Sequence, residues 1–82
     1  MNMPSTEEGW EDAAVKLLYG RKIKGVRYMN TEEMQSHGWY SRPLLIELDN
    51  GTILYSSRDD EGNDGGALFT TNRKTPVIPV IR

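Results

Sequence analysis

Two short apolar runs flank Asn50-Gly51: Leu44-Leu45-Ile46-Glu47-Leu48 before it and Thr52-Ile53-Leu54-Tyr55 after it. This is the signature of a β-hairpin, because Asn and Gly tolerate the left-handed positions of a tight type I′ turn. A two-residue loop sets Leu48 opposite Ile53 and Ile46 opposite Tyr55, gathering Leu44, Ile46, Leu48, Ile53 and Tyr55 on one face. A three-residue loop with a bulge at Gly51 would pair Leu48 with Thr52 and spread the apolar set over both faces. Burial of a single face therefore favours the two-residue turn.

At 82 residues the chain is expected to form one domain, near the size where a single core only just suffices. It has no cysteine, so neither disulfides nor thiolate metal sites can reinforce that core, and a reducing cytoplasmic setting fits. The start, Met1-Asn2-Met3-Pro4-Ser5-Thr6-Glu7-Glu8, lacks the basic and apolar regions of a signal peptide. Nothing approaches the ~20 apolar residues of a membrane span, so a soluble protein without a membrane partner is expected. Ten basic and twelve acidic side chains give a net charge of −2. They segregate: Lys16, Arg21, Lys22, Lys24 and Arg27 form a basic segment, and Asp59, Asp60, Glu61 and Asp64 an acidic one. Two solvated surfaces are the simplest reading.

A helix is expected from about Thr6 to Tyr19, capped by Ser5 with Glu8 completing a capping box. Its acids cluster early and Lys16 comes late, complementing the helix dipole. Trp10, Ala14, Leu17 and Leu18 form an apolar stripe, and so short a helix must dock through it. Lys22–Met29 reads as a strand with a bulge at Gly25, since Val26 and Tyr28 alternate while Ile23 falls out of phase. Asn30 to Gly38 carries capping signals for one or two helical turns. Ala67–Thr71 is a further short strand, and Val77-Ile78-Pro79-Val80-Ile81 an edge strand or an extended tail, since Pro79 cannot donate to a ladder.

The expected fold is α+β, mainly β: an N-terminal helix (about 6–19) packed on a small, strongly bent antiparallel sheet or barrel of four to five strands (about 21–71), then an apolar tail (76–82). This order of elements is similar to the SH3-like and Sm-like small barrels, whose architecture hosts many unrelated activities. A second likeness lies in the runs Gly20-Arg21-Lys22-Ile23, Val26-Arg27-Tyr28-Met29, Glu32-Glu33 and Gly38-Trp39. With Glu47-Leu48-Asp49-Asn50-Gly51-Thr52, Asp59-Asp60-Glu61-Gly62-Asn63 and Gly66-Ala67-Leu68-Phe69-Thr70-Thr71, they resemble a family of small uncharacterised bacterial and phage proteins. The resemblance spans roughly residues 18 to 71 and implies no activity and no catalytic or binding residues.

Candidate sites follow from residue chemistry. Asp59, Asp60, Glu61, Asn63 and Asp64 offer oxygen ligands on a backbone loosened by Gly62, Gly65 and Gly66, as a calcium loop requires. Counting from Asp59, however, position 6 is Asp64 rather than glycine, and no bidentate glutamate follows, so a self-bonded turn is preferred over a divalent-cation site. Phosphate cradling is rejected, because the carboxylates would repel the anion and the loop holds no lysine. Arg21, Lys22, Lys24 and Arg27, with Tyr19 and Tyr28 as stacking rings, could grip a single-stranded nucleic acid. Against this, the patch is small and the chain acidic. Trp39, Tyr40 and Arg42 are residue types that anchor partner proteins, although Trp39 equally suits one end of a core.

His37 has no acid placed to orient it, and Ser56 and Ser57 have no evident base, so no catalytic set assembles and no cofactor is implied. The expectation is a non-enzymatic module that binds through protein contacts, as a homo-oligomer. It is motivated by the apolar tail and by open strand edges. Nucleic-acid binding and cation binding by residues 59–64 are the alternatives.

Overall fold

In the computed structural model, which describes residues 6–82, the Thr6 hydroxyl accepts the Gly9 N–H at 3.0 Å and starts the first helix, α1 (Glu7–Leu18). The cap is thus one residue later than expected, and Ser5 lies outside the described residues. Six further elements follow: β1 (Ile23–Tyr28), α2 (Thr31–Ser36), β2 (Leu44–Leu48), β3 (Ile53–Tyr55), β4 (Leu68–Phe69) and β5 (Val77–Ile78). α2 is short but well capped, with the Asn30 and Glu33 side chains each accepting the other's backbone N–H.

The strands form two antiparallel sheets, β1-β2-β3 and β4-β5. The molecule is α+β, but the sheets do not close into a barrel among the described residues. The reason is length: β3 has three residues, and β4 and β5 two each. Strands so short cannot carry the continuous ladder that closure needs. The expected irregularity in β1 is present, a register shift between Ile23 and Gly25 that returns Ile23, Val26 and Tyr28 to one face.

The hairpin register differs from the one burial favoured. Leu45 pairs with Tyr55, Ile46 with Leu54 and Glu47 with Ile53. The loop is Asp49-Asn50-Gly51, closed by Gly51 N–H donating to Leu48 O and Leu48 N–H donating to Thr52 O. Gly51 takes φ +85°, whereas no residue other than glycine has positive φ among the described residues. Asn50 instead accepts the Thr52 N–H on its carboxamide oxygen. This is the three-residue, bulged alternative. The single-face assumption fails because both faces of β2 find cover. Leu45 belongs to a core with Met29 and Trp39, flanked by Met34, while Leu48 is buried on the opposite face.

The tail is tied to the body. β5 pairs with β4, Ile81 and Arg42 exchange both backbone hydrogen bonds, and the Pro79 carbonyl accepts the Tyr28 hydroxyl at 2.7 Å. The tail is therefore partnered within the chain and gives no support to an oligomer.

The largest departure concerns α1. None of its residues is buried, and Trp10, Leu17 and Leu18 of the stripe are 50%, 40% and 41% exposed. The expected packing of the stripe against the sheet does not occur.

Candidate functional site

The acidic loop is a structural brace. One carboxylate oxygen of Asp64 accepts the backbone N–H groups of Tyr40, Ser41 and Gly65 at 3.1, 3.0 and 2.8 Å. The Trp39 indole N–H donates to the Gly62 carbonyl at 2.6 Å, tying loop and core together. Gly65 is packed so closely that a Cβ there would lie 2.7 Å from Pro43 Cδ and 2.8 Å from the Ser41 carbonyl oxygen. Asp59 accepts the N–H groups of Glu61 and Asn63 together with the Asn63 carboxamide N–H. These bonds, the Asn63 side chain foremost, hold the Asp59 carboxyl below its ordinary value. At Asp64 desolvation pushes the pKa upward, yet the Gly65, Tyr40 and Ser41 donors together outweigh it and leave the carboxyl depressed. Among the described residues no three His, Asp or Glu side chains gather as a cation site would need.

Trp39 is 5% exposed and packs in tilted ring contacts, its centroid 4.7 Å from that of His37 and 5.9 Å from that of Tyr55. It is a core residue. Of its neighbours, Tyr40 is 82% exposed, while Arg42 is half-buried in the bridge to Ile81. The three residues therefore do not form one exposed anchor. His37 is exposed at the end of α2, its Nδ1 2.9 Å from the Glu33 carbonyl oxygen, with no carboxylate hydrogen-bonded to it among the described residues. The Ser57 hydroxyl donates to the Asp64 carbonyl and accepts the Asp59 N–H, a role in holding the loop.

The basic segment divides. Arg27 grips Glu33 with two parallel hydrogen bonds of 2.8 and 2.9 Å, and Arg21 approaches Asp49 at 3.9 Å. The Arg27 guanidinium, assisted by the Asn30 N–H, lowers the Glu33 carboxyl from 4.5 to about 2. Lys22 and Lys24 are exposed and have no ion pair among the described residues. Tyr28 is half-buried with its hydroxyl committed to Pro79, whereas Tyr19 is 84% exposed.

Among the described residues, two of the uncovered apolar surfaces are ones that periodicity alone did not mark as open. One is the α1 stripe; Trp10 and Asp60 line an open cleft of about 570 Å³ between the helix and the acidic loop. The other is the β1 side of the sheet, where Ile23 is 63% and Val26 57% exposed. The available signal was the make-up of the stripe: with Ala14 in its middle and Gly9 and Ala13 alongside, it offers a core little volume. A depression of about 270 Å³ beside Gly25, Arg27, Glu47 and Ile53 is smaller than the ~300–1,000 Å³ usual for ligand pockets, and its guanidinium already serves Glu33. No helix among the described residues is long and apolar enough to cross a membrane. No family model, curated protein or solved structure matches this chain.

Proposed function

We propose that this protein is a non-enzymatic binding module that acts through protein–protein contacts and works as a homo-oligomer. The observation that carries the reading is the exposed apolar stripe of α1, with Trp10 half exposed on a helix that has no fully buried residue. A twelve-residue helix is marginal in water and gains most of its stability from packing, so a bare stripe calls for a partner. Exposed Ile23 and Val26 add a separate apolar area on the sheet. Size-exclusion chromatography with light scattering across a concentration series is the test. A mass above one chain that grows with concentration is expected, and a strict monomer at high micromolar concentration would overturn the reading.

A second reading, single-stranded nucleic-acid binding, draws on exposed Tyr19 beside Lys22 and Lys24. It predicts binding that weakens steeply with salt and is lost on Lys22→Glu with Lys24→Glu. Shift assays at low salt with RNA, single-stranded DNA and duplex DNA would remove it if none binds.

A further inference from the structure

We propose that Asn50 is a self-modification site, at which the Gly51 amide nitrogen displaces the side-chain nitrogen as ammonia and water completes the conversion to aspartate or isoaspartate. The reaction needs one chain and water alone, so it stands apart from the oligomeric reading above.

The geometry of the hairpin loop singles this residue out. Asn50 and Gly51 are both exposed, and a Cβ at Gly51 would meet nothing within 4 Å, so a five-membered ring has room to form there. Gly51 also brings no side chain to hinder attack by its own nitrogen. The Thr52 N–H donates to the Asn50 carboxamide oxygen at 3.0 Å, the atom on which negative charge develops as that nitrogen adds to Cγ. One bond restrains the nucleophile: the Gly51 N–H donates to Leu48 O at 3.0 Å, so attack waits on local opening of the loop. Asn30, Asn63 and Asn72 differ, each being followed by a residue with a side chain, Thr31, Asp64 and Arg73. Asn30 is locked in the capping box of α2, and Asn72 accepts the N–H groups of both Lys74 and Thr75. The Asn63 carboxamide nitrogen is held by Asp59 at 2.8 Å.

With its proton lost to solvent base, the Gly51 nitrogen adds to Asn50 Cγ. The bond from Cγ to the side-chain nitrogen then breaks, and that nitrogen takes a proton from water and leaves as ammonia. One water molecule opens the resulting succinimide. Opening at Cγ gives aspartate, which keeps an oxygen to accept the Thr52 N–H and adds one negative charge beside Asp49. Opening at the main-chain carbonyl gives isoaspartate, which routes the backbone through Cβ and Cγ. The added main-chain atom falls inside the loop that the Leu48–Thr52 and Gly51–Leu48 hydrogen bonds close. β2 holds the buried Leu45 and Leu48, so the isoaspartyl chain loses its register where the packing depends on it.

The test incubates the full chain in mildly alkaline buffer made with heavy-oxygen water, folded and, in parallel, unfolded in urea. Peptide mapping by mass spectrometry then follows each asparagine. In the folded chain Asn50 should convert at least about tenfold faster than Asn30, Asn63 or Asn72, taking up solvent oxygen as it does. Asn50→Gln, which would have to close a six-membered ring, should give no new acidic species over the same period. The isoaspartyl species, separated by chromatography, should melt about 4 °C or more below the parent, whereas Asn50→Asp should melt within about 2 °C of it. An Asn50 that stays intact in the folded chain while the unfolded chain converts, or that converts no faster than Asn63, would overturn the site. An isoaspartyl form that melts like the parent would overturn its effect on the loop.

Discussion

A single carboxylate oxygen, that of Asp64, takes three backbone N–H groups and fixes the chain just after Trp39. Asp64→Ala strands donors next to buried Ser41, and its melting temperature should fall by about 5 °C or more. Gly65→Ala should cost about 1–3 kcal/mol in urea melts, because the new methyl meets Pro43 and the Ser41 carbonyl with little room to yield. Gly51→Val should cost a similar ~1–3 kcal/mol through its positive φ. Asn50→Ala should cost only about 0.5 kcal/mol, since Asn50 stays out of the left-handed region and loses one exposed bond to Thr52. Equal melts for Gly51→Val and the parent would refute the turn geometry. Acid sensitivity follows from Glu33, Asp59 and Asp64, all held below their ordinary values. A carboxyl depressed on folding contributes its stability above the unfolded pKa and loses it as pH falls through the folded one. Thermal melts should therefore decline from about pH 5 toward pH 2, and Glu33→Gln should flatten part of that decline. An unchanged acid profile in Glu33→Gln would show that the Arg27 pair plays no part in it.

Among the elements, α1 stands apart energetically. Thr6→Ala removes its cap and should weaken the helix by about 1 kcal/mol, visible as lost ellipticity at 222 nm. In a Trp10→Phe background the urea midpoint read at Trp39 should hardly move, because α1 lends the core no buried residue. A midpoint that fell with the ellipticity would show the helix docked on the body. Much of this was legible from residue chemistry: α1 and α2 from their caps, β1 with its irregularity from the misplaced Ile23, and β2-β3 from Asn50-Gly51. The register was not, because pattern fixes register only when one face is buried, and β2 buries Leu45 on one face and Leu48 on the other. Closure was not legible either, since it depends on strands long enough to pair all round. At the candidate site, the reading of residues 59–64 as a self-bonded turn agrees with the bonds of Asp59. Their attachment to Trp39 and Ser41 joins segments some twenty residues apart, beyond any local signal.

At the level of the whole molecule, the acidic loop is spent on holding the fold, while the α1 stripe is left over. Gly38-Trp39 and the 59–63 run share in that division, meeting through the indole–Gly62 hydrogen bond. The central claim is that α1 finds its packing in a second copy rather than on its own body. Backbone hydrogen exchange at two protein concentrations, one dilute and one at high micromolar concentration, tests it most directly. α1 amides should exchange almost freely in the dilute sample and gain protection at least tenfold when concentrated, with β1 and β2 unchanged between the two. Equal protection of α1 at both concentrations would contradict the account.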